Sequence, residues 1–146
     1  MKSIKLLVII LFLLFTFSSC RDQDEGTIVG SLININLPEY DNIPVIANVE
    51  NSFVLTLNAK NFNYNYDDYV DFTKDSLVIT ITANKSNSAN SNFIVFNNLN
   101  EVIFSEELNT DKVIVKDNLG GKIPSRVKVK LENYTGILNI VVAVKN

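Results

Sequence analysis

The sequence contains no histidine, no tryptophan and a single cysteine, Cys20. Without histidine the chain cannot build Ser-His-Asp or Cys-His nucleophiles, or a metal site ligated by imidazole. A lone cysteine cannot form an internal disulfide. The 16 acidic residues outnumber the 13 basic ones, and no basic tract occurs, which argues against nucleic-acid binding. Phosphate-binding loops and nucleophile elbows are also missing from the sequence, so we predict no cofactor and no enzymatic activity.

Long apolar runs are missing as well, except at the N-terminus. Two lysines within the first five residues precede twelve uncharged residues, Leu6 to Phe17, and the small residues Ser18 and Ser19 follow. A charged start, a short apolar run and small residues are typical of a secretory signal peptide. The run is shorter than the roughly 18 residues that a membrane-spanning helix needs. We therefore predict that residues 1–19 are a removable signal, and an uncleaved anchor is the alternative.

The residues that end this segment, Phe17-Ser18-Ser19-Cys20, resemble the lipobox of bacterial lipoproteins. Phe17 stands where leucine is commonest in that motif. The resemblance implies that Cys20 is acylated and becomes the new N-terminus, which makes the membrane a partner through the acyl chains. Two or more acyl chains give stable membrane anchoring, whereas one gives only marginal binding.

Three carboxylates, Asp22, Asp24 and Glu25, follow Cys20 within five residues. They resemble the acidic export tag of surface lipoproteins from Bacteroidetes-type bacteria, which implies an outer-membrane location at the cell surface. The periplasmic face is the alternative location, and a solvated spacer is the alternative role. Residues 20–26 form a tether that reaches at most about 20 Å beyond the cysteine.

Residues 27–146 contain short β-type segments separated by polar residues. Valine and isoleucine dominate this region, and both favour strands. Apolar residues alternate with others in residues 53–58, 77–83, 127–132 and 138–144, and weaker strand candidates are residues 27–36, 45–49, 93–96, 101–106 and 112–116. We predict one all-β domain, a β-sandwich of seven to nine short antiparallel strands, with a small β-barrel as the alternative.

The spacing of the segments over residues 43–146 is similar to that of immunoglobulin-like sandwiches in exported bacterial lipoproteins. The Cys…Trp…Cys signature of true immunoglobulin domains is missing, so the resemblance implies an architecture and no functional residue. Residues 97–100, Asn-Asn-Leu-Asn, predict a hairpin turn because asparagine tolerates positive φ. Residues 133–136, Asn-Tyr-Thr-Gly, predict a second tight turn, which would join the last two strands.

The most unusual segment is residues 61–72, which hold three of the five tyrosines and three aspartates. Aromatic rings beside short polar groups suit a sugar-binding or protein-binding patch. We predict this patch at Tyr64, Tyr66, Asp67, Asp68, Tyr69 and Asp71. The alternative is a connection whose rings pack against the edge of the sandwich.

Two further sites overlap or follow this segment. Asp67, Asp68, Asp71 and Asp75 carry enough oxygens for Ca²⁺, although the EF-hand spacing is absent. Asp75-Ser76-Leu77 resembles a short O-glycosylation motif of Bacteroidetes-type exported proteins, which implies Ser76 as the modified residue.

These features predict a membrane-anchored envelope lipoprotein that acts as a non-enzymatic binding or structural module, with a glycan or an envelope protein as its partner. A protective, immunity-type lipoprotein that sequesters a secreted toxin is one alternative, because the chain without residues 1–19 has a net charge of −5 that suits a basic partner. A small glycan hydrolase that uses paired carboxylates is another.

Overall fold

The computed structural model describes residues 40–88 and 90–145. The predicted signal peptide, the acidic tether and the strand candidate at residues 27–36 lie outside these ranges. The described part of the chain contains seven strands and no helix. The strands are β1 (Val45–Val49), β2 (Ser52–Tyr69), β3 (Leu77–Asn87), β4 (Asn92–Asn97), β5 (Val102–Glu107), β6 (Lys112–Asp117) and β7 (Pro124–Val144).

All strand pairs are antiparallel, and the two long strands, β2 and β7, organise them. Residues 136–144 of β7 lie between residues 52–59 of β2 and strand β3, and β1 and β6 flank this group. We call these five strands the first half-sheet. Residues 124–131 of β7 lie between residues 64–69 of β2 and strand β4, with β5 beyond it, and form the second half-sheet.

A corner in both long strands joins the half-sheets. The register of β2 against β7 shifts between Ala59 and Tyr64, and Asn133 and Gly136 have φ angles of 48° and 135°. A Cβ atom on Gly136 would lie 2.7 Å from the carbonyl oxygen of Asn84, so only glycine fits there. Because bulges bend a strand without reversing it, residues 133–136 lie inside β7. The predicted tight turn at these residues is therefore wrong.

The half-sheets pack on each other through their apolar faces. Phe53 of the first half-sheet stacks against Phe93 of the second, with ring centroids 6.4 Å apart, and both rings are fully buried. The alternation that predicted the strands recurs in the buried positions, such as Val127, Val129 and Leu131. The all-β antiparallel sandwich is thus confirmed. The barrel alternative is not observed, and β2 and β7 are much longer than the predicted short strands.

Most of the described non-glycine residues with a positive φ angle are asparagines. Seven of the eight described non-glycine residues with positive φ are asparagine, the residue type that tolerates this region best after glycine. One is Asn100, in the connection from β4 to β5, so the predicted hairpin at residues 97–100 is confirmed.

The outward side of the first half-sheet contains three rows that cross all five strands in the order β1, β2, β7, β3, β6. The middle row is Ala47, Val54, Val141, Thr80 and Val115. One neighbouring row is Val45, Thr56, Asn139, Thr82 and Val113. The other is Val49, Ser52, Ala143, Val78 and Asp117. We call these rows the neutral face, because Asp117 at one corner is its single charged residue.

The outward side of the second half-sheet also has three rows, in the order β2, β7, β4, β5. They are Asn65, Lys130, Asn92 and Glu107; then Asp67, Lys128, Ile94 and Ser105; then Tyr69, Arg126, Phe96 and Val102. We call these rows the charged face. Three cations of β7 lie along its centre.

Candidate functional site

The predicted Tyr/Asp patch lies on the second half of β2, where strand geometry separates its members. Tyr64 and Tyr66 are opposite Leu131 and Val129, whose side chains are buried, so both rings point toward the core. Asp67 and Tyr69 point outward on the charged face. The six residues therefore do not form one surface, because successive side chains of a strand point to opposite sides of the sheet.

The two inward tyrosines help to form the core. Tyr64 stacks on Phe62 with centroids 5.8 Å apart, and Tyr66 stacks on Phe53 at 5.7 Å. Partial burial raises the pKa of Tyr64, and burial together with the nearby Asp68 carboxylate raises the pKa of Tyr66. Both rings pack against the buried core, and the segment that carries them is part of strand β2 and not a connection.

The acidic residues of the segment have separate partners. The Asp67 carboxylate lies 3.4 Å from Arg126 Nε and 3.9 Å from Lys128 Nζ. Asp68 accepts hydrogen bonds from the Tyr66 hydroxyl, at 3.2 Å, and from the Tyr69 backbone N–H, at 2.8 Å. Asp71 and Asp75 are exposed in the connection that leads to β3. No three acidic side chains within residues 40–88 and 90–145 are close enough to share a metal ion. The calcium alternative therefore lacks its ligand cluster.

Tyr69 is the tyrosine of the patch that solvent reaches most fully, at 72% exposure. It is the last residue of β2, and the chain then turns inward at Val70, whose backbone N–H donates a 3.0 Å hydrogen bond to the carbonyl oxygen of Ser125. This bond ties the end of β2 to the start of β7. Val70 and Ser125, which this bond joins, also line a cleft that the sequence analysis did not predict.

This end cleft has a volume of about 480 Å³. Its buried floor is Val70, Phe72 and Pro124. Polar groups of Asn98, Lys122 and Ser125 lie at its rim, together with Ile123. An apolar floor with a few polar groups above it is the usual arrangement of a ligand site.

Asn97 fixes the conformation of the hairpin between β4 and β5, which forms one wall of the cleft. Its side-chain oxygen accepts hydrogen bonds from the backbone N–H groups of Leu99 and Glu101, both at 2.9 Å, and its amide donates to the Glu101 carboxylate at 2.8 Å. Lys122 donates to the same carboxylate at 3.0 Å. The hydrogen bond from Lys122 is the main cause of the lowered pKa of Glu101. At the rim, Lys122 and Glu101 therefore form an ion pair with no net charge.

Ser76 borders a second, smaller cleft of about 320 Å³, with Asp75, Asn118, Gly121 and Lys145 around it. Its side chain is exposed, and its backbone carbonyl accepts a 2.8 Å hydrogen bond from the Lys145 N–H. The hydroxyl predicted as a glycosylation site is thus accessible. Gly121 lines both clefts, so they adjoin at this end of the sandwich.

Cys20 lies outside the described residues. The part of the chain that the structure describes has no helical segment that could span a membrane. Searches of protein-family models, curated proteins and solved structures found no match to this chain.

Proposed function

We propose that this chain is a lipoprotein of the bacterial envelope whose β-sandwich is a non-enzymatic binding module. One observation carries the proposal. The single cysteine follows a charged start, a short apolar run and small residues, in the order that lipoprotein processing requires. Acylation at Cys20 holds the domain at the outer membrane, and the acidic residues after it favour the cell surface over the periplasmic face.

The end cleft supports the binding role. Ile123 offers exposed apolar surface, above the buried Phe72 and Pro124, of the kind that covers a sugar ring or an apolar side chain. Asn98 and Ser125 offer hydrogen-bonding groups beside it. The exposed Tyr69 directly precedes Val70 of the cleft floor, and tyrosine gives contact area at low entropic cost. A glycan or an extended segment of an envelope protein suits this combination.

Anchoring is tested by comparing the full chain with its Cys20→Ala variant. We expect the unaltered chain to sediment with membranes and to be cleaved by protease added to whole cells. The variant should leave the membrane fraction. Protection of the unaltered chain from external protease would place the domain on the periplasmic side, and equal behaviour of both chains would contradict anchoring through Cys20.

Binding is tested with membranes that carry the full chain, incubated with a panel of soluble polysaccharides and with cross-linker for protein partners. Lys122→Ala and Tyr69→Ala should reduce retention, whereas Lys116→Ala, which removes the same charge from an exposed strand away from the cleft, should not. Release of reducing sugar would favour the hydrolase alternative. Absence of any retained glycan or protein would contradict the binding role.

A further inference from the structure

The neutral face differs from ordinary protein surface in its charge. Fourteen of its fifteen residues are uncharged, and the exception, Asp117, is paired with Lys145 at 2.7 Å. The whole chain has 29 charged residues in 146. Depletion of charge at the centre of a surface patch is one part of the compositional signal of a protein–protein interface.

This face is also accessible within the described part of the chain. Four valines on its two flanking strands, Val45, Val49, Val113 and Val115, are between 59% and 73% exposed. Five strands about 4.8 Å apart and three rows about 6.8 Å apart give a footprint of about 500 Å². Two such footprints bury about 1,000 Å², which is the lower limit for a specific interface between proteins.

The composition of the rows indicates which partner binds to the neutral face, because two of the rows are nearly symmetric about the central strand β7. Across the five strands the row through Asn139 is Val, Thr, Asn, Thr, Val, and its order is the same from either end. The row through Val141 is Ala, Val, Val, Thr, Val, in which the two residues beside Val141 have nearly the same shape. A two-fold axis through such a surface brings like residues of the two copies opposite each other.

An axis along β7 gives each contact a matching partner. Val45 then lies opposite Val113 of the second copy, Thr56 opposite Thr82, and Asn139 and Val141 opposite themselves. Valines meet valines, hydroxyls meet hydroxyls, and the two amides can donate to each other. Face-to-face packing of aligned sheets is a common arrangement in β proteins.

Edge-to-edge pairing of two copies through β6 is disfavoured in the register that is centred on Ile114. A second β6 added antiparallel to the first, with Ile114 opposite itself and the two faces kept in register, would place Lys112 opposite Lys116. Like charges directly opposite destabilise a strand pair, and lysine is a usual protection of edge strands. The face has no lysine, arginine or aromatic ring, so it also lacks the groups that hold proteins at lipid surfaces.

From these observations we propose that the neutral face is the contact surface of a symmetric homodimer, in which two copies of this chain pack face to face about an axis along β7. The small area makes this a weak dimer. Its formation does not depend on the end cleft or on the ligand proposed for it, since both lie at the end of the sandwich, at residues outside the three rows.

The test is sedimentation equilibrium of the detergent-extracted full chain, in a buffer whose density matches that of the detergent. The unaltered chain should approach twice the protomer mass as its concentration rises. Val141→Glu places two carboxylates face to face and should weaken dimerisation more than about tenfold. The matched control, Ser105→Glu, adds the same charge to the charged face and should leave dimerisation unchanged.

An equimolar mixture of Val141→Glu and Val141→Lys should restore the dimer, because opposite charges then meet at the axis. A mixture of Thr56→Lys with Thr82→Glu tests a second contact at two positions on the solvent side of the sheet, where the fold tolerates charge. Far-UV circular dichroism checks that each variant is folded. A protomer mass for the unaltered chain at every concentration would overturn the proposal, and so would a Val141→Glu dimer as stable as the original.

Discussion

The neutral and charged faces are built from the same two long strands, yet they carry opposite kinds of surface. Twelve residues of the charged face include five charges, and fifteen residues of the neutral face include one. On the charged face Asp67 lies within 4 Å of both Arg126 and Lys128, and the Arg126 guanidinium lies 4.3 Å from the Phe96 ring centroid. Arg126 and Lys128 therefore have their counter-charge on the same face.

The corner at Gly136 therefore divides the chain by surface chemistry as well as by direction. Inward residues on both sides of the corner join one apolar core. Outward residues on one side include the ion pairs of Asp67 with Arg126 and Lys128, and those on the other side have mostly hydroxyl, amide and small apolar groups. Four predictions, in decreasing order of effect, test this comparison.

The largest effect should follow removal of the ring that joins the two half-sheets. Phe53 is fully buried and stacks on both Phe93 and Tyr66. Phe53→Ala should lower the free energy of unfolding by about 4 kcal/mol, measured by urea denaturation. Phe96→Ala on the charged face, a half-buried ring, should cost only about 1–2 kcal/mol. Equal losses would mean that the half-sheets do not share a core.

The corner itself should be nearly as sensitive. Gly136→Ala places a Cβ 2.7 Å from the Asn84 carbonyl oxygen in a backbone conformation that disfavours side chains, and should cost about 3 kcal/mol. Gly120→Ala is the matched control, because that glycine also has positive φ but no atom lies within 4 Å of its added Cβ. We expect it to cost about 1 kcal/mol. A corner variant no worse than this control would contradict the close contact.

Alkaline pH should weaken the protein through Tyr134, a fully buried ring beside the corner. Burial raises the pKa of Tyr134 above its ordinary value of 10.0, so the unfolded chain ionises first. The stability that this difference contributes is complete below about pH 10 and is lost as pH rises through the folded-state pKa. Tyr134→Phe should flatten the decline in unfolding free energy above pH 10. Some decline should remain, because the pKa values of Tyr64 and Tyr66 are raised as well.

The smallest effect should come from the ion pairs of the charged face. Asp67→Asn removes the shared partner of Arg126 and Lys128 and should cost at most about 1 kcal/mol at low salt, because these groups are partly exposed. At about 1 M NaCl the loss should nearly disappear. Thr56→Val on the neutral face should give a change that does not depend on salt. A salt-independent loss for Asp67→Asn would mean that its role is not electrostatic.

The strands and their buried positions could be predicted because alternation is a local property. The hairpin at residues 97–100 was equally local, since Asn100 adopts the positive φ that asparagine tolerates. Residues 133–136 were misassigned because a bend and a turn use the same residue types. Only the pairing of β7 with β2 on both sides of the corner distinguishes them.

The surfaces could not be predicted, because each combines residues that are distant in sequence. The end cleft joins Val70 and Phe72 to Asn97 and Pro124, and the neutral face takes its rows from five strands. Register decides which residues share a row, and a single-residue slip would exchange the two sides of a strand. The Tyr/Asp segment failed as one patch for the same reason, since its members lie on opposite sides of β2.

If a lipid on Cys20 holds this sandwich at the bacterial envelope, the intact mass of the expressed full chain must include that lipid. We predict a mass that corresponds to loss of residues 1–19 and addition of acyl groups, and a Cys20→Ala variant without that addition. A mass equal to that of the unmodified 146-residue chain, or cleavage without acylation, would contradict the account.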